Sequence, residues 1–236
     1  MTDLHASSRR RPAIQARGED TRRRILETAL DLFAAQGYEG ASTRQIAEGA
    51  GVNLPAIQYY FGNKEGLYRA VIEDITADTD RHMAPLAPRV RAALDSPETP
   101  RESLAALLCE MLESFVVLVT SGTQVESRRL FFARAEIEET PGLDMLHENG
   151  MRQIFDPCLE LLSRLHGKPV TDQEMTVRTL ALIGQVVIFC NNHKRPILAA
   201  AGLDAESVRL MKLVVREHAE AICRAVLAGP TDSRRE

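Results

Sequence analysis

Apolar residues recur at helical spacing along almost the whole chain after residue 20, and no segment alternates as a β-strand does. The first stripe runs from Ile25 to Phe33, and Gly37 follows it where a left-handed residue commonly ends a helix. Later stripes predict helices over residues 104–119, 124–139, about 171–191 and about 204–227, and one more that ends near His166. The pattern predicts an all-α protein.

Polar and small residues within residues 42–61 predict two short helices joined by a tight turn. Ser42 and Gln45 form a capping box at the start of the first helix, and Asn53 caps the second. Gly51 supplies the turn between them. This arrangement is typical of a helix-turn-helix, which lays its second helix in the major groove of DNA. Glycine-joined helix pairs also occur in ordinary bundles, so the pattern alone leaves both interpretations open.

Prolines change the pattern after residue 80. Pro85, Pro88, Pro97 and Pro100 predict a looser connection, because proline interrupts regular structure. We therefore divide the chain into a disordered basic arm (1–19), a three-helix DNA-binding domain that includes the start of a fourth helix (20–78), a larger helical ligand-binding and dimerisation domain (79–228) and a flexible tail (229–236).

Charge is distributed unevenly, although the net charge of the 236 residues is only −4. Residues 1–69 hold ten Lys and Arg against eight Asp and Glu, and the remainder holds nineteen against twenty-five. A mildly basic N-terminal part on an acidic body is what a local contact with DNA requires.

Other chemistry is sparse in the sequence. Four cysteines lie far apart inside apolar patterns, so we expect them in the core, with redox sensing or metal binding as the alternative. No phosphate-binding loop, nucleophile elbow or zinc-protease motif occurs, which argues against an enzyme and predicts no cofactor. No apolar run approaches the roughly 18 residues that cross a bilayer, and no secretory signal follows the N-terminal arginines, so we expect a cytoplasmic location.

Residues 20–75 also contain a pattern that resembles the TetR family of bacterial transcriptional regulators. The pattern is T-R-x-x-I-A-x-x-A-G-V, then a capped helix that ends in aromatic residues, then N-K-E-x-L. The matching residues are Thr43, Arg44, Ile46, Ala47, Ala50, Gly51, Val52, Asn53, Ile57, Tyr59, Tyr60, Phe61, Asn63, Lys64, Glu65 and Leu67. The C-terminal part resembles the helical regulatory domains of this family, and its pattern is similar to that of the CecR-like subgroup.

The resemblance implies a set of DNA-contacting residues, namely Thr43, Arg44, Asn53, Leu54, Pro55, Ala56, Gln58, Tyr59, Tyr60 and Lys64. Thr43 would contact a phosphate at a helix N-terminus, and Arg44 a guanine edge or a second phosphate. The apolar residues that begin the second helix imply contacts to thymine methyl groups and recognition of DNA shape. Gln58 departs from the family, which usually has a tyrosine there. A half-buried core position for Tyr60 and a solvated position for Lys64 remain alternatives.

The regulatory part offers two candidate surfaces. The resemblance implies a homodimer, because a palindromic operator presents two half-sites. Apolar stripes on the last two predicted helices are the candidate interface, with closure of the subunit's own core as the alternative: Leu180, Ile183, Val187, Val208, Met211, Val215 and Ile222. Large adaptable side chains in the middle of the chain are a candidate effector pocket, with plain core as the alternative: Met111, Phe115, Phe131, Phe132, Met151 and Phe155.

These features together predict a sequence-specific regulator that binds a palindromic double-stranded DNA operator. We expect a homodimeric repressor, released when a small-molecule effector shifts a two-state equilibrium by moving the fourth helix, residues 64–79. A regulator of the same fold that is controlled by a protein partner or by its abundance is one alternative, and an all-helical enzyme is another.

Overall fold

The computed structural model describes residues 10–122, 124–138, 140–190 and 204–227, and every regular element within these ranges is helical. The helices are α1 Arg10–Gly40, α2 Thr43–Gly49, α3 Leu54–Phe61, α4 Lys64–Met83, α5 Ala87–Asp95, α6 Arg101–Thr120, α7 Val125–Glu138, α8 Leu143–Leu146, α9 Arg152–His166, α10 Gln173–Val187 and α11 Ala205–Leu227. A π-helical turn, His147–Met151, joins α8 to α9, and a 3₁₀ turn, Ile188–Cys190, ends α10. The predicted all-α class is confirmed.

The chain divides into two compact units. The first unit comprises Met1–Ile75 and Ser127–Leu143, so it combines α1, α2, α3 and the start of α4 with α7. The second unit comprises Thr76–Glu126 and Asp144–Glu236. The division thus falls close to the predicted boundary at residue 78, but the prediction missed the return of α7 to the first unit.

The first unit is built around the apolar stripe of α1. Its core consists of Ile25, Leu26, Ala29, Leu30 and Phe33 from α1, with Ile46 and Ala47 from α2, Ile57 from α3, and Leu67, Tyr68, Val71 and Ile72 from α4. Tyr68 lies at the centre of an aromatic cluster: its ring meets Phe33 edge-on at 4.9 Å and stacks on Phe131 of α7 at 4.8 Å. Burial raises the pKa of Tyr68 to about 12.

Helix α1 begins at Arg10, well before residue 20, where the predicted DNA-binding domain begins. The predicted disorder is therefore wrong for residues 10–19, while residues 1–9 and the predicted tail lie outside the described residues. Asp20 pairs with Arg23 at 2.8 Å and with Arg24 at 3.8 Å. Ion pairs between residues three and four positions apart stabilise a helix.

The second unit is built around α6, which packs against α9, α10 and α11. Leu104, Leu108, Leu112 and Val116 of α6 are almost fully buried in its core. By length and composition α6 is apolar enough to cross a membrane, although polar residues interrupt its apolar sequence, and half of its apolar window is buried inside the protein. Helix α6 is thus the core helix of the second unit.

Helix α5 forms where the prolines predicted a loose connection. Pro88 lies in its first turn, where a missing N–H costs no hydrogen bond, so the proline is compatible with a helix. Arg89 of α5 donates to both carboxylate oxygens of Glu110 on α6, at 2.5 and 3.0 Å. The predicted loose connection is therefore wrong over Ala87–Asp95.

Three cysteines, Cys109, Cys158 and Cys223, are free and buried, as expected for core residues. Burial raises the pKa of Cys109 to about 11 and that of Cys158 to about 12. Among the described residues no cluster of three metal-ligating side chains occurs. The side chain of Cys190 lies outside the described residues.

The burial of these thiols predicts slow reaction with a thiol reagent, because only the thiolate is the nucleophile. In a Cys190→Ser variant at pH 8, the native protein should react with Ellman's reagent on the order of 10²-fold more slowly than the same protein in guanidinium chloride. A thiol that reacts rapidly in the folded variant would contradict the core assignment.

Candidate DNA-binding surface

The local hydrogen bonds of α2 and α3 match the predicted helix-turn-helix. The Ser42 hydroxyl accepts from the N–H of Gln45 at 3.2 Å, and the Gln45 side chain accepts from the N–H of Ser42 at 3.0 Å, which completes the capping box. The Asn53 side chain accepts from the N–H of Ala56 at 3.1 Å. Both predicted caps are confirmed.

The turn between α2 and α3 depends on Gly51, whose φ of 64° is left-handed. The N–H of Val52 donates to the carbonyl of Ala47 at 2.9 Å, and Ala47 is buried where the two helices meet. The turn therefore fixes the direction in which α3 leaves α2.

Helix α3 buries one side and exposes the other. Ile57 points into the core, whereas Leu54 is 43% exposed and Tyr59 is 82% exposed. Pro55 and Gln58 are also exposed. Tyr59 makes an edge contact with Tyr60 and otherwise leaves most of its ring in solvent, so this side of α3 is a candidate partner surface.

Residues of α2 and the end of α3 complete this surface. Arg44 is exposed and, in the part of the chain that the structure describes, forms no ion pair, so its guanidinium is available to an anion. Thr43 is half-buried at the first position of α2. Tyr60 is also half-buried, and its hydroxyl lies beside Gly18 of α1, 3.5 Å from where a Cβ at that glycine would sit.

Lys64 has a structural partner that sequence reasoning missed. Its Nζ donates to the carbonyl of Glu39 at 3.2 Å and lies 4.6 Å from the centre of the Tyr38 ring. The predicted alternative of a freely solvated lysine is therefore wrong. A DNA contact by Lys64 stays a prediction, and it would share the ammonium group with the end of α1.

Helix α7 closes the same end of α1, which sequence reasoning also missed. The guanidinium of Arg134 donates to the carbonyl groups of Ala34 at 2.7 Å and Ala35 at 2.9 Å. Helix α1 is kinked at Gly37, which is not helical, so the carbonyl groups just before the kink lack helical partners, and these bonds satisfy acceptors that would otherwise need water. Arg134 also pairs with Glu138 of the same helix at 3.0 Å.

Glu138 holds the residue that follows the kink in α1. Its carboxylate accepts from the backbone N–H of Tyr38 at 2.9 Å. Gly37, with a φ of 79°, leaves room for that carboxylate, and a Cβ at this position would collide with it. The Tyr68 hydroxyl shares a hydrogen bond of 2.9 Å with the Thr140 hydroxyl beyond the end of α7. Helix α7 therefore completes the unit that carries the candidate DNA-binding surface.

The predicted effector residues do not line one described cavity. Phe131 and Phe132 belong to the first unit, where Phe131 is buried against Tyr68. Met111, Phe115, Met151 and Phe155 belong to the second unit, and of these Met111 lines a cavity.

The predicted interface residues also separate into two groups. Ile183, Met211 and Val215 are at most 4% exposed inside the core of the second unit, so they cannot supply a surface, and their assignment is wrong. Val187, Val208 and Ile222 are half-buried against that core, and only Leu180 stands out from it. The stripes used for the prediction are thus the faces that close the subunit itself.

Comparison with known proteins agrees with this geometry. A family model described as bacterial regulatory proteins, tetR family, matches residues 25–71, and a model of the C-terminal domain of the HTH-type transcriptional dual regulator CecR matches residues 100–229. The HTH-type transcriptional dual regulator CecR of Shigella flexneri is 28% identical over 218 residues, which cover 91% of this chain and 96% of that protein.

Two further relatives are more distant or cover less. The HTH-type transcriptional repressor NicS of Pseudomonas putida is 35% identical over 100 residues, which are 42% of this chain and 45% of NicS. A crystal structure of a TetR-like transcriptional regulator from Rhodococcus sp. RHA1 covers 89% of this chain and 97% of its own, with a TM-score of 0.56 at 20% identity. The Rhodococcus structure thus shows that the two proteins share a similar fold.

Replacing Tyr59 by alanine should separate DNA binding from folding. Because Tyr59 is 82% exposed, the free energy of unfolding should change by no more than about 0.5 kcal/mol. Affinity for operator DNA should fall at least roughly tenfold in a mobility-shift titration, since a hydrogen bond from a hydroxyl group to a charged phosphate contributes about 1.5–3 kcal/mol. The matched control is Ile137→Ala on α7, which is equally exposed at 81% and should bind DNA as the wild type does. Equal affinities of the two variants would remove Tyr59 from the surface.

Replacing Arg134 by alanine should destabilise the first unit. Two carbonyl groups at the end of α1 lose their donors, and we expect a cost of about 1–3 kcal/mol in urea unfolding. Arg152→Ala is the control, because Arg152 pairs with Glu148 on the surface and its loss should cost less than about 1 kcal/mol. A loss no larger than that of the control would show that water replaces the guanidinium without cost.

Proposed function

The chain belongs to the TetR family of bacterial regulatory proteins and carries a CecR-type C-terminal domain, and from this premise we propose that it is a homodimeric repressor released from its operator by a small-molecule effector. That it is a DNA-binding transcriptional regulator follows from the family. The dimer, the repression, the effector and a cytoplasmic location are the proposed parts.

The observation that carries the proposal is the exposed side of α3. Leu54 and Tyr59 face solvent on a helix whose caps and glycine turn hold it rigidly, and Arg44 lies free nearby on α2. A recognition helix in the major groove needs such an exposed side, and neighbouring cations contact phosphates. Repression is supported by NicS, which is named a repressor, and the name dual regulator of the CecR relative favours activation at some promoters as the second candidate.

Exposed apolar residues on α10 and α11 support a dimer. They replace, as the candidate interface, the predicted stripes that are buried in the subunit's own core. Val177, Leu180 and Ile188 recur at helical spacing along α10 and the turn that ends it, and Leu210 and Leu213 are exposed on α11. The two helices contact each other, and Nδ1 of the His218 ring lies 2.9 Å from the Gln185 side-chain oxygen. We call these five apolar side chains the α10–α11 face.

Gly184 adds a second argument for this face. It is exposed in the last turn of α10, and a Cβ placed on it would meet no atom within 4 Å. Glycine inside a helix costs about 1 kcal/mol relative to alanine, and nothing in the described part of the subunit requires it. A helix of a second subunit that approaches closely would require it, so the α10–α11 face is the proposed dimer interface.

Effector control would act through α4. This helix runs without interruption from Lys64 to Met83, so its first part belongs to the first unit and its last part to the second. A ligand that favours one arrangement of the second unit would thereby alter the spacing of the two α3 helices in the dimer. A preference of roughly 100-fold corresponds to about 2.7 kcal/mol of coupling, which is within the usual range.

The function is tested by a mobility shift with the DNA upstream of the chain's own gene, at several salt concentrations and with excess competitor DNA. A specific operator should be retarded at competitor concentrations that abolish non-specific binding, and its affinity should fall with salt as phosphate contacts require. Retardation that the competitor removes completely would overturn the proposal. Expression from the same DNA in cells that lack the protein should rise if it represses.

Introducing a charge into the proposed interface should produce a monomer. Leu180→Asp should halve the mass measured by light scattering after size exclusion and weaken operator binding, because a single half-site contact remains. Ile137→Asp, which places a charge at an even more exposed apolar position on α7, should leave the mass unchanged. A dimeric Leu180→Asp protein would place the interface elsewhere.

A further inference from the structure

The second unit contains a cavity of about 290 Å³ among α4, α5, α6 and α9. Its apolar lining comes from Met83 at the end of α4, Val90 and Leu94 of α5, and Met111 of α6. The volume lies at the lower end of the range for small-molecule sites, which are mostly apolar with a few placed polar groups. The cavity therefore suits a compact molecule with an apolar body.

Hydrogen bonds on two sides hold α5 in place and keep the cavity formed. On one side Arg89 binds both carboxylate oxygens of Glu110 on α6. On the other side Arg164 of α9 donates to the carbonyl of Leu94 at 2.5 Å and to that of Ser96. A wall fixed in this way does not have to be ordered by the ligand, which lowers the cost of binding.

Pro157 changes the hydrogen bonding of the α9 wall. It lies inside α9 and lines the cavity, although proline in a helix interior is strongly unfavourable. Because proline has no N–H, the carbonyl of Gln153, four residues earlier and also on the cavity wall, cannot receive its helical hydrogen bond. The cavity is thus lined by a residue with a main-chain acceptor left without its usual donor.

Glu160 adds a negative charge one turn further along α9. The residue is half-buried in the lining and, within the described ranges, its carboxylate forms no ion pair or hydrogen bond. Arg164, its natural partner one turn away, is already occupied by the two carbonyl groups beside α5. The lining also contains one cation, Arg91, which is exposed at the rim side of α5 and lies 3.8 Å from Asp95, whereas Glu160 is the more buried of the two charged groups.

We propose that this cavity binds a small amphiphilic cation, with an apolar body against the methionines and α5 and a primary or secondary ammonium against Glu160 and the oxygen atoms of Gln153. An ammonium group donates only, and the available groups on α9 accept. An anion of the same size would meet the unpaired carboxylate. This inference rests on the proposed function, since it names the class of the effector.

Three eight-carbon probes separate the charge from the apolar body: octylamine, octanoate and 1-octanol. In calorimetric titrations of the full-length protein without DNA, octylamine should bind at least tenfold more tightly than octanoate. Octanoate that binds as tightly as octylamine, or octylamine that does not bind, would overturn the proposal.

Glu160→Gln keeps the shape of the side chain and removes its charge. The affinity for octylamine should fall at least tenfold, while that for octanol should stay within twofold. Glu102→Gln, on an exposed carboxylate of α6 outside the cavity, is the matched control and should bind octylamine as the wild type does. Equal octylamine affinities of the two variants would exclude Glu160.

Pro157→Ala tests the main-chain acceptor. The new N–H should bind the Gln153 carbonyl, so the Tm should rise while octylamine binds more weakly. A purely structural proline predicts a changed Tm with unchanged affinity, and that result would remove the carbonyl from the site.

Operator binding in the presence of octylamine separates this inference from the proposed function. Octylamine that binds the protein and releases the operator supports both. Octylamine that binds without any effect on operator affinity would overturn its role as an effector and leave the cation site standing. Release of the operator by octanoate but not by octylamine would leave an effector-controlled repressor and refute the cation site.

Discussion

The end of α1 is the constraint on which the first unit depends. A helix that stops leaves carbonyl groups without donors, and here the chain must also turn sharply at Gly37 to reach α2. The donors come from distant parts of the sequence: Arg134 of α7 binds two carbonyl groups, and Lys64 of α4 binds that of Glu39. The charged side chains of Lys64 and Arg134 therefore attach α4 and α7 to the same end of α1. The helix-turn-helix begins directly after this junction.

This junction gives several residues two tasks. The resemblance to the family implies that Lys64 binds a phosphate. Its ammonium group, however, already lies over the Tyr38 ring and donates to the carbonyl of Glu39. Tyr68 packs in the core of the unit and also offers its hydroxyl to Thr140. Because Lys64 supports the end of α1 and is also a candidate DNA contact, a change in the packing of α7 would reach the candidate DNA-binding surface. That proximity is the physical basis on which control of binding can rest.

The parts that could be predicted from sequence are those decided by neighbouring residues. Caps at Ser42 and Asn53 and the turn at Gly51 involve contacts over three or four residues, so local spacing was sufficient. Helix α5 was missed because proline was taken as an interruption, whereas Pro88 lies in a first turn.

Contacts between distant segments could not be predicted in this way. The bonds of Arg134 to α1 join residues about a hundred positions apart, and no periodicity records them. The apolar stripes of α10 and α11 showed which face is apolar, but not that Ile183 closes the subunit's core while Leu180 stays outside. The candidate cavity was missed for the same reason, since its walls come from four helices.

The first unit is discontinuous along the chain, and this has a consequence for its synthesis. Domains usually fold in the order in which the ribosome releases them. The recognition helix leaves early, but Phe131 and Arg134, which complete its support, follow only after all of α5 and α6. A nascent chain therefore cannot complete the first unit before α5 and α6 of the second unit have been made, so the two units cannot mature one after the other along the chain.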